Sequence, residues 1–83
     1  MKIAENITWK LLGEKVVAVN TENGFYFTMN ETASTMWIAI TEGKSQEDLK
    51  QAILEKFDVE QESVLDNEIE EQIREWKELG LIN

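Results

Sequence analysis

The chain has 83 residues, and its 17 Asp and Glu against 8 Lys and Arg give a formal net charge of −9. It contains no Cys and no His. This excludes disulfides, thiolate chemistry and histidine-based catalysis or metal ligation, and the charge disfavours nucleic acid and anionic membranes as partners.

These numbers predict a single domain, residues 1–83, with a modest core. We expect no enzymatic activity, no metal site and no cofactor, because the residues that usually supply such chemistry are missing and no DxDxDG-type loop is present. No apolar run approaches the roughly 20 residues needed to span a bilayer, and the N-terminus has no secretory pattern. A cytoplasmic protein is therefore expected.

Three short segments predict an antiparallel meander. Residues 7–11 alternate between apolar and polar, as a strand with one buried face does. Val16–Val19 is rich in β-branched residues, and Phe25–Met29 is apolar and aromatic. Gly13 and an Asn-Gly pair ending at Gly24 supply the turns, because these residue types tolerate positive φ. The buried face of the first strand is expected to carry Ile7, Trp9 and Leu11.

Three helices are predicted to follow. The first runs from about Glu31 to Thr41, with Asn30 as its N-cap and Gly43 after its end. Ser45 caps the second, and acidic residues in the next turn favour a helix start there. The first two helices are expected to bury stripes at i, i+3, i+4 spacing, made of Ala33, Met36, Trp37 and Ile40, and of Leu49, Ile53, Leu54 and Phe57.

The start of the third helix has two interpretations. Asp58–Gln61 reads as a capping box with Gln61 at N3, or Ser63 is the cap instead. Gly80 is placed to end the helix, with Leu81 packing back as in a Schellman motif. The order is thus βββααα, an α+β fold that resembles a winged helix-turn-helix. The stripe of the third helix is expected to hold Leu65, Ile69, Ile73, Trp76 and Leu79.

A helix-turn-helix order suggests DNA binding, but the charge argues against it. Residues 60–83 hold eight acidic residues against two basic ones, a net charge of −6, which phosphates would repel. Two other hypotheses remain. One is an acidic winged-helix protein that binds other proteins in transcription. The other is an acyl or peptidyl carrier protein modified at Ser63, although a serine at a helix start is more often a cap. A phosphopantetheine arm on Ser63 would be visible in one mass spectrum.

The third strand suggests a binding site of another kind. A strand that stops at a helix cap in so small a chain can lie at a sheet edge, where another peptide can add as a further strand. Tyr26 and Thr28 face away from the helices if Phe25 and Phe27 point inward, and the sequence leaves this choice open. Trp76 serves either the core or the wall of such a site.

Several stretches resemble PqqD-like proteins, with a likeness extending from Ile7 to Ile82. Met29–Ala33, followed by Met36-Trp37 and Glu42-Gly43, is similar to the family's LNETA…IW…DG stretch. Leu49–Val59 resembles its I…L…YDVD helix, and Ile73–Ile82 resembles its closing FL..L…GLL. No single motif is unique, but their order and spacing together are specific.

The resemblance implies a recognition element for ribosomally synthesised, post-translationally modified peptides. Such domains bind the leader segment of a precursor antiparallel to the third strand, in the groove beside the third helix, and deliver it to modifying enzymes. The NETASTMW form of residues 30–37 favours the stand-alone B1-type proteins of lasso peptide pathways, whose partners are a leader peptidase and a cyclase. PqqD itself, which serves a radical SAM enzyme, is the alternative. The protein would be a monomer or an edge-paired dimer. The implied leader-binding residues are Phe25, Tyr26, Phe27, Thr28, Met29, Ile69, Gln72, Ile73 and Trp76.

Overall fold

The structure, a computed structural model, describes residues 1–83 and confirms the βββααα order. The three strands form one antiparallel sheet in the order β1-β2-β3, so β1 and β3 are both edges. No helix combines the length and the apolar character needed to cross a bilayer. The elements are β1 Ile7–Leu12, β2 Lys15–Asn20, β3 Tyr26–Thr28, α1 Glu31–Thr41, α2 Gln46–Lys56 and α3 Glu62–Glu78.

The core lies between the helices and one face of the sheet. Trp37 is fully buried, as predicted, and its ring meets that of Trp76 edge to face, with centroids 5.3 Å apart. The predicted stripe of α1 is buried throughout, and Val16 and Ala18 of β2 are fully buried beneath it. Leu54 and Phe57 of the predicted α2 stripe are only partly buried, whereas Leu49 and Ile53 are buried.

The apolar face of β1 departs from the prediction. Ile7 is buried, but Trp9 and Leu11 are 39% and 45% exposed. Both side chains share the inner face of the sheet, because they pair with Ala18 and Val16 of β2. The reason is that α1 packs over β2, while no helix covers β1 to the same degree. Alternation in the sequence therefore identified the face but not whether a helix covers it.

The helix ends show which capping patterns are used. Asn30 accepts a hydrogen bond from the Ala33 N–H at 2.8 Å, as predicted for the α1 cap. At α2, Ser45 and Asp48 form a capping box, and hydrogen bonds from the Ser45 backbone N–H and hydroxyl lower the pKa of the Asp48 carboxyl. Local sequence is sufficient at both ends, because donor and acceptor lie three residues apart.

The predicted start of α3 is wrong in both of its forms. The N-cap is Gln61, which makes no side-chain capping bond, and Ser63 lies inside the first turn. The physical reason is tertiary. Val59 packs against the core from the connecting segment, which holds the backbone of residues 57–61 out of the helix.

The end of α3 confirms the predicted Schellman motif. Gly80 has φ +74°, its N–H donates to the Lys77 carbonyl at 3.2 Å, and the Leu81 N–H donates to the Trp76 carbonyl at 2.9 Å. Leu81 is fully buried. Leu79, predicted to be buried, is instead 42% exposed, because it is the C-cap residue and stands at the edge of the apolar stripe.

A buried hydroxyl joins the sheet to α1. The Oγ of Ser34, 1% exposed, accepts from the Val16 N–H at 2.8 Å and donates to the Met29 carbonyl at 3.3 Å. It thus stands between two backbone groups that would otherwise pair within the β2–β3 ladder. The hydroxyl satisfies both groups where the chain leaves the sheet for α1.

We expect Ser34→Ala to lower the free energy of unfolding by about 1–3 kcal/mol, because it leaves the Val16 N–H and the Met29 carbonyl buried without partners. Urea denaturation measures the change. Thr35→Ala is the matched control, since the Thr35 hydroxyl bonds only to the Glu31 carbonyl of its own helix. Equal, small effects of the two substitutions would contradict the bridging role of Ser34.

Candidate peptide-binding site

One edge of β3 is unpaired. β3 forms hydrogen bonds with β2 on one side and has no strand on the other. It is only three residues long, because α1 begins three residues after its last member. The open edge inferred from the sequence is therefore present in the structure.

The register identifies which backbone groups of β3 are free. The Met29 N–H donates to the Val16 carbonyl at 3.0 Å. Hydrogen-bonded and non-bonded pairs alternate along an antiparallel ladder, so Phe27 also bonds toward β2. Tyr26 and Thr28 must then direct their N–H and C=O groups away from β2. These four outward groups, here called the β3 edge, can accept a further strand.

The side chains of β3 resolve the alternative that the sequence left open. Tyr26 is 69% exposed and Thr28 is exposed on the outer face of the sheet. Phe27 packs against the core and Met29 is 5% exposed, so these two face the helices. Phe25 was predicted to belong to the third strand, but it lies just before the observed start of β3 and is 66% exposed.

A cavity of about 160 Å³ lies between β3 and α3, here called the β3–α3 furrow. Phe27, Thr28, Met29, Gln72 and Trp76 line it, so five of the nine residues implied by the resemblance meet at one place. Phe25 and Tyr26 do not line it, Ile69 borders the next cavity, and Ile73 is buried. The remaining lining residues are Asn30, Ala33, Glu75, Leu79 and Leu81.

The lining residues that the sequence interpretation missed have two origins. Glu75 lies three residues after the predicted Gln72, and Leu79 lies four residues after Glu75, so all three form one ridge of α3. That spacing was available in the sequence. Asn30 and Leu81 belong to segments far apart in the chain, and only the packing of α3 against β3 brings them together.

A second cavity continues the furrow along α3. This α1–α3 pocket has a volume of about 360 Å³ and shares Asn30, Ala33, Gln72 and Glu75 with the furrow. Both cavities therefore form one path from the β3 edge to the start of α1. The other residues of the pocket are Thr32, Met36, Ile53, Leu65, Glu68, Ile69 and Glu71.

Trp76 belongs to the core and to the furrow at once. It is 3% exposed and packs edge to face against Trp37 at an interplanar angle of 87°. It also lines the β3–α3 furrow beside Gln72 and Leu79. The two sequence interpretations of Trp76 are thus compatible, because opposite sides of one ring can serve both.

The electrostatic character of the path is acidic. Glu68, Glu71 and Glu75 line it, and no Lys or Arg does. The structure contains one salt bridge, between Lys50 and Asp66 at 3.0 Å, and it lies outside both cavities. The hydrogen bond that the Lys50 ammonium donates to the Asp66 carboxylate raises the pKa of Lys50. No group of three or more carboxylates is placed to hold a metal ion.

The carrier-protein hypothesis does not fit this architecture. It requires a helical bundle with the modified serine near the middle of the chain. Ser63 lies in the first turn of α3, behind a three-stranded sheet. The β3 edge and its furrow are therefore the better candidate for the functional site.

Comparison with known proteins gives a family and a fold. The family model for coenzyme PQQ synthesis protein D (PqqD) matches residues 15–82. The structure of TbiB1 in complex with the TbiA(beta) leader peptide has a TM-score of 0.92 at 23% identity, covering 100% of this chain and 95% of that chain. Lasso peptide synthetase B1 complexed with the leader peptide has a TM-score of 0.86 at 20% identity, with coverages of 99% and 95%. No curated protein sequence matches this chain.

Proposed function

Since this chain belongs to the PqqD family, we propose that it binds the leader segment of a ribosomally synthesised precursor peptide by β-strand addition. The observation that carries the proposal is the unpaired β3 edge with a partly apolar furrow beside it. Two proteins of the same fold are solved in complex with leader peptides, which supports the same class of ligand here.

The energetics require both the edge and the furrow. The four outward backbone groups of Tyr26 and Thr28 can form four hydrogen bonds with a guest strand, each contributing about 0.5–1.5 kcal/mol net. Ordering a flexible peptide offsets much of that sum. Apolar side chains of the guest must therefore supply the rest, by packing on Phe27, Met29 and Trp76 in the furrow.

The proposed role is that of a non-catalytic adaptor in the cytoplasm, where ribosomal precursors are made. The bound leader would be delivered to a leader peptidase and a cyclase, as in lasso peptide pathways. The similarity to the two lasso-pathway structures favours this version. Presentation to a radical SAM enzyme, as PqqD does, is the second candidate, favoured by the family match.

Titration with the leader of the precursor encoded beside this gene tests the proposal. We expect amide shifts in ¹⁵N-labelled protein to be largest at Tyr26 and Thr28, because their N–H groups gain acceptors, with a change of the Trp76 indole signal. A scrambled leader is the control. Absence of binding, or shifts centred on the opposite edge at Trp9 and Leu11, would contradict leader binding at β3.

A further inference from the structure

The furrow at the β3 edge leads directly into the α1–α3 pocket. Asn30, which follows β3 by two residues, lines both cavities, as do Gln72 and Glu75. A guest strand that pairs with Thr28 and continues past it therefore reaches Asn30 and enters the pocket. In the antiparallel pairing that every strand of this sheet uses, the continuing part is the segment N-terminal to the pairing residues.

The floor of the pocket is apolar and its size suits a side chain. Met36, Ile53, Leu65 and Ile69 line it, and each is at most 4% exposed because it also belongs to the core. A volume of about 360 Å³ lies at the lower end of the about 300–1,000 Å³ found for ligand pockets. An apolar side chain of the guest can therefore pack on this floor.

The rim of the pocket carries three carboxylates that form no salt bridge. Glu68, Glu71 and Glu75 are exposed, lie three and four residues apart on α3, and take part in no salt bridge. Like charges at this spacing repel one another along a helix. These carboxylates do not form a metal site, because no three metal-ligating side chains of the structure are placed to hold one ion. A basic side chain beside an apolar one is the complementary occupant.

We propose that the α1–α3 pocket binds the leader segment N-terminal to the strand-forming residues, through one large apolar side chain on its floor and a neighbouring Lys or Arg at the rim. The inference rests on the proposed leader binding and adds to it the chemistry of the upstream segment. Continuity of the pocket with the furrow and the charge of the rim carry it.

A pair of triple variants tests the rim. E68Q/E71Q/E75Q removes the rim charge, and E55Q/E70Q/E78Q is the matched control, because its three exposed residues line neither cavity. Each variant changes the net charge from −9 to −6. We expect the rim variant to bind the leader about fivefold or more weakly at an ionic strength of about 0.01 M, with the difference vanishing at about 1 M. The control variant should bind like the native protein.

Truncation of the peptide tests the floor. The leader shortened to its strand-forming residues should still shift the Tyr26 and Thr28 amides, but no longer the methyl signals of Ile53, Leu65 and Ile69. Equal weakening by both triple variants, or methyl shifts that survive truncation, would overturn the inference. If the native protein bound no leader at all, the proposed function would fail instead, so the two failures are distinguishable.

Discussion

Thr28→Pro is expected to weaken leader binding by about tenfold or more while leaving the domain folded. Thr28 directs its N–H away from β2, so proline removes a donor that no group of this chain uses. The pyrrolidine ring then occupies the place of a guest carbonyl. Loss of one hydrogen bond accounts for up to about 1.5 kcal/mol, equivalent to about tenfold in Kd, and the steric block adds to it. Titration calorimetry with the leader measures the change.

Two further substitutions make this result interpretable. Tyr26→Pro affects the other outward position of β3 and should weaken binding in the same way, should Thr28→Pro prove unstable. Leu11→Pro removes an outward N–H from β1, the opposite edge, and should leave leader affinity unchanged. Native affinity in a folded Thr28→Pro protein would exclude strand addition at β3.

Trp76→Ala should destabilise the domain by about 3–5 kcal/mol, the range found when a buried aromatic residue is truncated. Trp76 is 3% exposed and loses its edge-to-face contact with Trp37. Natural domains have about 0.05–0.15 kcal/mol of stability per residue, so an 83-residue chain has about 4–12 kcal/mol in total, and the substitution removes a large part of it. Thermal unfolding followed by circular dichroism measures the loss.

The contribution of the furrow has to be separated from that of the core. Leu79 lines the same furrow but is 42% exposed, so Leu79→Ala should weaken leader binding with little change in melting temperature. Its control is Val64→Ala, a similarly exposed apolar position on α3 that lies outside the furrow. If Leu79→Ala and Val64→Ala bound the leader with native affinity, apolar packing in the furrow would not contribute to recognition.

Structural features that depend on residues close together in the sequence were predicted correctly. The bounds of α1 agree with the sequence interpretation, and the caps at Asn30 and Ser45 form as expected. The end of α3 at Gly80 does so as well. Each of these features depends on hydrogen bonds spanning a few residues, so the local sequence contains both partners.

Features that depend on which surfaces meet were predicted poorly. The start of α3 is set by the packing of Val59 on the core, and the exposure of Trp9 and Leu11 by the absence of a helix over β1. Alternating residues indicate that a strand has an apolar face, but not how much of that face another element covers.

The site shows the same division. An aromatic third strand with a possible open edge, and a third helix carrying Trp76, were both visible in the sequence. The furrow itself combines Met29 and Asn30 with Gln72 and Leu81. The furrow depends on how closely α3 packs against β3, and the spacing of residues along the chain does not encode that distance. The leader-binding role of each of these residues stays a prediction until a leader is titrated.

By itself, the sequence determined the order of strands and helices, the turns and most helix ends, and the acidity of α3, because these follow from short-range backbone preferences and composition. The tertiary structure decided that β3 lies at the edge of the sheet, that Tyr26 and Thr28 carry its free backbone groups, and that a furrow and an acidic pocket follow it. Those features arise from the packing of α3 and α1 beside β3, where side chains up to about fifty residues apart in the chain come into contact.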